Sequence, residues 1–266
     1  MTALILTFIL LGFFLYRHWT WKAVPWPETA LRPPPVQAHR GYWQDGAQEN
    51  TLSAFEAAKA QGFEMFELDV RLSAEAIPVV FHDADLRRLG KQRTDRVSDS
   101  TVEHLKVWAQ VCTLEEVLTS SQVPRFINIE LKSNSVWQGP LEEAVAALVR
   151  KHGCESRVLF SSFNPLALWR MKRLLPTVPR ALLATGEDDP ENKIYLRQMW
   201  LAPYIGVHAL HLDHNYVKPD AVTRWKKRQV PVALWTVNDP DEVRKYLQAG
   251  AISVISDSVV SVDSSL

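Results

Sequence analysis

A single (β/α)₈ barrel is the fold class this sequence predicts, and three observations predict it. Short runs rich in Val, Ile, Leu and Phe recur eight times along the chain. Longer amphipathic segments separate most of them, the alternation that parallel strands with crossover helices require. The alternation fills about 230 residues, close to the roughly 250 usual for such a barrel. A doubly wound open sheet is the rival, but no glycine-rich strand-to-helix turn supports it.

In chain order the strand candidates are VQAH (36–39), FEMFELDV (63–70), FINIEL (126–131) and RVLFSS (157–162). RALLA (180–184), VHALHL (207–212), VPVALWTV (230–237) and ISVISD (252–257) complete the eight. Between them lie helical patterns such as TLSAFEAAKAQG, GPLEEAVAALVRKHG, PLALWRMKRLL and DEVRKYLQAG. Gly62 and Gly250 stand where a helix ends in a left-handed residue. A further run, IPVVFH (77–82), follows the second strand too closely for a parallel crossover, which needs a dozen or more residues. It reads as the returning arm of a hairpin turning at residues 74–76. The expected register puts position 82 opposite 69, so that His82 stands beside Asp69 above the barrel mouth.

The chain has 266 residues, 47% hydrophobic and 23% charged, which is ordinary globular composition. Lys+Arg and Asp+Glu both number 30, so no global charge points to nucleic acid as a partner. Cys112 and Cys154 follow neither metal nor redox spacing. The opening MTALILTFILLGFFLY has no charged side chain, and residues 1–22 are expected to form a membrane anchor. Trp19 and Trp21 would serve as its interfacial belt, with Arg17 reaching for headgroups. A cleaved signal peptide, and with it export, is the rival; it lacks a cationic start and a clear cleavage site. Arg17, Lys22 and Arg32 all follow the apolar run, which places the main domain in the cytoplasm by the positive-inside tendency. The proline-rich residues 23–35 read as a stiff tether, and 36–260 as the barrel.

In a parallel barrel all strand C-termini open on one face, where active sites occur. His39 closes the first strand, Glu67 and Asp69 the second, and Glu130 and Lys132 the third; Ser161, Trp235 and Asp257 end later ones. Glu67 and Asp69 are two apart and therefore point to the same side. With Glu130 they make three oxygen donors without a cysteine, a set suited to a hard divalent ion, Mg²⁺ or Ca²⁺. The bland alternative pairs these acids with Arg40, Arg71 and Lys132. His39 and His82 suit proton transfer near neutrality. Arg40 and Lys132 bring positive charge to where a phosphoryl oxyanion would sit. In QENT, Asn50 or Thr51 is a good N-cap, and Ser53 with Glu56 a capping box. Trp235 is either core or a wall on which a ligand stacks.

Taken together, these residues resemble the glycerophosphodiester phosphodiesterases. The resemblance rests on HRG (39–41), ENTLSAF (49–55), ELDVRLS (67–73), PVVFHD (78–83) and NIELK (128–132). SSF (161–163), WTVN (235–238) and ISD (255–257) continue it in the family's order. It implies a (β/α)₈ barrel in which Glu67, Asp69 and Glu130 bind a divalent metal and His39 and His82 are the acid/base pair. Arg40 and Lys132 would contact phosphate, and Glu49 would lie near metal and glycerol. Two departures stand out: Gln48 where the family has proline before Glu49, and Glu75-Ala76 where it has Asp-Gly.

The implied reaction turns a glycerophosphodiester into glycerol 3-phosphate and an alcohol through a cyclic phosphate. A membrane anchor would make lysophospholipids a second substrate class, with VWAQV (107–111) and YLRQMWLAPY (195–204) as lipid-touching segments. From another class, the chain would be a tethered binding protein that has lost catalysis.

Overall fold

Parallel strands that bury both faces need helices over them, and here eight such strands close into a barrel. The computed structural model describes residues 2–189 and 192–261, the side chains of 2–4 excepted. Its barrel strands are β1 (Val36–Ala38), β2 (Met65–Leu72), β5 (Phe126–Leu131), β6 (Val158–Ser162), β7 (Arg180–Ala184), β8 (Ala209–Asp213), β9 (Val232–Trp235) and β10 (Ser253–Ser256). They pair in parallel in that order, and β1 closes the ring by pairing with both β10 and β2. His39 and Asp257 stand one residue past the ends of β1 and β10, and the His39 amide still donates to Ser256 O at 2.9 Å.

Alternate residues of each strand divide between two clusters. Phe66, Leu68, Val70, Ile127 and Ile129 pack outwards against Phe55, Ala58 and Val145 of the surrounding helices. Met65, Leu159, Ala181 and Ala209 meet inside. The helices α2 (Leu52–Ala60), α5 (Pro140–Lys151), α6 (Pro165–Leu174), α9 (Pro219–Lys227) and α10 (Pro240–Ala249) lie in this outer layer, four of them opening on proline. Gly62 and Gly250 adopt φ of 92° and 102°. The cap of α2 is Thr51, whose hydroxyl accepts from the Ala54 amide. The expected Ser53–Glu56 capping box does not form: the Ser53 hydroxyl pairs with Thr51.

The hairpin forms, with its register one residue away from the expected one. In β3 (Pro78–Val80), Val80 pairs with Val70 and Val79 with Arg71, and the Phe81 amide donates to Asp69 O at 2.9 Å. Phe81, not His82, is thus opposite Asp69. The cause is a loop of odd length: Ser73 N bonds Ile77 O, leaving three residues at the turn. Ala76 there has φ 58°, the left-handed position for which glycine is the usual choice.

A side lobe that sequence periodicity missed follows β3. It comprises α3 (Val102–Ala109), β4 (Cys112–Thr113), antiparallel to β3, and α4 (Leu114–Thr119). Val79, Phe81, Leu86, Val97 and Leu105 give it a small core of its own.

The N-terminal helix α1 (Thr2–Thr20) is present, but among the described residues no helix is long and apolar enough to cross a membrane, which corrects the expected transmembrane segment. Its uncharged part up to Tyr16 spans about 22 Å at 1.5 Å per residue, short of a bilayer's roughly 30 Å. The residues that follow are engaged with the barrel: Arg17 donates to Pro203 O, and Arg228 to His18 O. Phe14 packs on Trp200 and Tyr204, next to the short helix α8 (Ala202–Ile205) that leads into β8. Residues 21–35 line the floor of the barrel. Trp21 and Leu31 are buried, the Trp26 indole donates to Leu31 O, and Leu31 joins the inner cluster of Met65, Leu159, Ala181 and Ala209.

Candidate active site

The mouth is built around carboxylates. Period two on β2 turns Glu67 and Asp69 inwards together, and the register with β5 sets Glu130 opposite Asp69. One oxygen from each lies within 4.8 Å of the others, and all three residues are buried. Lys132 Nζ is 3.0 Å from Asp69 Oδ1 and 2.5 Å from Glu130 Oε1, and Arg40 Nε is 3.3 Å from Asp69 Oδ2. Asn50 clasps Asp69 from behind, its amide donating to Oδ2 at 2.8 Å while its oxygen accepts from the Asp69 N–H. This use of Asn50 explains why Thr51 caps the helix.

The charges do not balance. Burial alone would raise the Asp69 carboxyl, but Lys132 and then Arg40 hold it well below the usual carboxylate range. Glu67 goes the other way: burial first, then Asp69 and Glu130, push it well above that range. Among the described residues its hydrogen-bond donor is the Arg40 backbone N–H at 3.1 Å, and no cation pairs with it. The bland reading therefore holds in part, with Arg40 and Lys132 serving two of the acids. Arg71 is spent on the His82 carbonyl. Three converging carboxylates with one left unneutralised fit a divalent cation, as oxygen-only donor sets do.

Both histidines are oriented by carboxylates. His39 Nδ1 lies 2.7 Å from Asp257 Oδ1, and Asn238 in turn donates to Asp257 Oδ2 at 2.8 Å. His82 Nδ1 lies 2.7 Å from Asp83 Oδ1. An ionised carboxylate only accepts, so Nδ1 carries the proton in each and a neutral ring keeps its lone pair on Nε2. Burial, with Lys132 and Arg40 opposing Asp69, lowers His82 to about 4. Both rings line a cavity of about 100 Å³ together with Arg40, Glu67, Glu130 and Lys132.

Arg40 reaches the cavity through a left-handed backbone, φ 56°, followed by Gly41 at φ 85°. A Cβ on Gly41 would come within 2.8 Å of the Ala54 backbone, so this turn needs glycine where it crosses α2. Glu49, expected near metal and glycerol, does not line the cavity. It stands behind Arg40, accepting from Nη1 at 2.8 Å, and it also accepts from Arg88 of the side lobe. The opposite wall is aromatic. Trp235 meets Phe163 edge to face at 5.6 Å, and its indole donates to His211 O at 3.0 Å. Sequence reasoning missed the supporting roles of Asp83, Arg88 and Asn238; HD at 82–83 was the one visible signal, a carboxylate beside a histidine.

Residues 39–261 match the sequence pattern of the Glycerophosphoryl diester phosphodiesterase family. The chain belongs to this family. A glycerophosphodiester phosphodiesterase of Bacillus altitudinis is 31% identical over 84% of this chain and 94% of its own. One from Caldanaerobacter subterraneus is 28% identical over 84% and 93%. Among solved structures, an Oleispira antarctica phosphodiesterase in complex with the product sn-glycerol-3-phosphate superposes with a TM-score of 0.72, at 28% identity over 85% of this chain and 93% of that one. The family's match begins at His39 and takes in every carboxylate, histidine and cation of the mouth.

Proposed function

We propose that the chain hydrolyses glycerophosphodiesters to sn-glycerol 3-phosphate and an alcohol, with Glu67, Asp69 and Glu130 holding a divalent cation. The observation that carries this reading is the pairing of an under-neutralised carboxylate triad with two carboxylate-oriented histidines on one small cavity. A cation in the triad would supply a Lewis acid that lowers the pKa of a coordinated hydroxyl and offsets phosphate charge. Arg40 and Lys132 hold phosphate oxygens and stabilise the charge that grows on them as phosphorus is attacked. One histidine accepts the glycerol hydroxyl's proton on Nε2 as that oxygen bonds to phosphorus. The other, entering the step as imidazolium with a proton on each nitrogen, gives its Nε2 proton to the departing alcohol oxygen as the P–O bond to that oxygen breaks, leaving a cyclic phosphate. Water then opens the ring with the two roles exchanged, which returns each proton. Phe163 and Trp235 shield the cavity wall from solvent.

Val136 and Trp137, 57% and 93% exposed in the loop leaving β5, favour lysophospholipids as a second substrate class. The test is release of glycerol 3-phosphate and choline from glycerophosphocholine, set beside choline release from lysophosphatidylcholine. Each is run with Mg²⁺, Ca²⁺ or chelator, with His39→Ala as control. Divalent-dependent turnover of the first substrate that the variant lacks is expected. Turnover confined to the second moves the reading to lysophospholipase D, and no turnover of either overturns it.

A further inference from the structure

The side lobe sends one guanidinium back to the mouth. Arg88 Nη1 and Nη2 donate to Glu49 Oε2 and Oε1 at 2.9 and 2.6 Å, while Nε donates to Asp83 Oδ2 at 2.7 Å. Each of these carboxylates has a second commitment. Glu49 Oε1 also accepts from Arg40 Nη1 at 2.8 Å, and Asp83 Oδ1 takes His82 Nδ1 at 2.7 Å. Arg88 thus joins two cavity-lining side chains that come from different loops, one after β1 and one after β3. An exposed ion pair ordinarily contributes little to stability, and Arg88 is 44% exposed. This one differs in that the Glu49 side chain is only 11% exposed and the fork is bidentate. A planar guanidinium fixes the angle as well as the distance of both acids, which a lysine cannot do.

We propose that Arg88 is a positioning residue: through Asp83 it fixes the His82 ring, and through Glu49 it fixes the Arg40 guanidinium. The activity arm below rests on the roles given to His82 and Arg40 under Proposed function; the spectroscopic arm does not. Arg88→Met and Arg88→Lys are compared with the parent chain for kcat and KM on glycerophosphocholine at saturating divalent ion. Losing an orienting partner costs about 10- to 100-fold in activity, and that loss is expected in kcat for Arg88→Met, with partial recovery in Arg88→Lys. Thermal midpoints are expected to stay within a few degrees of the parent. Combining Arg88→Met with Asp83→Asn should lose clearly less than the product of the two single losses, because both act on the His82 ring while Arg88 alone also reaches Arg40. Imidazole ¹⁵N spectra, with His82→Ala to assign the ring, read the same contact without turnover. The parent should show one tautomer protonated on Nδ1 and Arg88→Met a mixture. An unchanged His82 spectrum in Arg88→Met overturns the proposal. So does a kcat within about twofold of the parent, or losses that multiply fully in the double variant.

Discussion

At the mouth of the barrel three buried carboxylates meet two cations; at the floor a buried guanidinium finds its hydrogen-bond partners, among the described residues, in carbonyl oxygens. Arg180 is 2% exposed and donates to the backbone oxygens of Leu175, Pro176, Val178 and Gly206. His208 beside it accepts from the Arg180 N–H and lies edge-on to Trp26. Burial lowers Arg180 to about 10 and, with Arg180 adding to it, His208 to about 4. The floor is thus closed by apolar residues from 21–35 and its charge is dispersed among dipoles. The mouth keeps a surplus of negative charge at an opening. One set of strands carries both arrangements, which separates what holds the barrel together from what acts at its rim.

The largest effect should come from breaking the mouth. Glu67→Gln removes a third of the cluster's negative charge, and turnover should fall by about 100-fold or more, since even an outer partner of a metal ligand costs 10- to 100-fold. In chelator the same variant should melt higher than the parent, because a repelled buried carboxylate is gone. The parent's midpoint should rise with added Mg²⁺ or Ca²⁺, and that rise should vanish in the variant. A variant that still gains stability from the ion would remove Glu67 from the ligand set.

Breaking the floor should do the reverse. Leu31→Ala opens a cavity under Met65, Leu159, Ala181 and Ala209 and should cost about 2–5 kcal/mol in urea unfolding. Its kcat per folded molecule should match the parent. A selective loss of kcat would show that the floor shapes the site.

The smallest effect sharpens the comparison through pH. His211 is fully buried on β8, neither ring nitrogen has a hydrogen-bond partner among the described residues, and burial lowers it to about 3. Its native pKa lies below the unfolded value of roughly 6.5, so below that pH the unfolded chain binds the extra proton. The stability is therefore complete above about 6.5 and is lost as pH falls towards the native value, by up to about 1.4 kcal/mol per unit. His208 acts in the same sense down to about 4. Replacing His211 with Phe should flatten the acid limb of a stability profile between these limits. An unchanged slope would mean that His211 is already protonated in the native state.

Much of this was legible in sequence because strand periodicity is local. FINIEL and RALLA are the observed β5 and β7 residue for residue, and the inward pairing of Glu67 with Asp69 follows from period two alone. The hairpin turns where expected, but three residues centred on Glu75 pair position 69 with 81, so the expected pairing of 69 with 82 was one residue out. The side lobe was missed because its short elements have no period long enough to read. Arg88 was invisible for a different reason: its partners are 5 and 39 residues away, and no spacing rule links them. The function of residues 21–35 as a floor also depends on long-range packing, since Leu31 reads as one apolar residue among prolines.

The His39–Asp257 pair spans 218 residues and exists only because the first strand and the last are neighbours. During synthesis His39 is among the first barrel residues made, while its carboxylate is among the last. A nascent chain that has made seven strands carries all three acids of the cluster but leaves that histidine without its orienting acid. A premature stop anywhere before β10 therefore leaves His39 without the carboxylate that orients it.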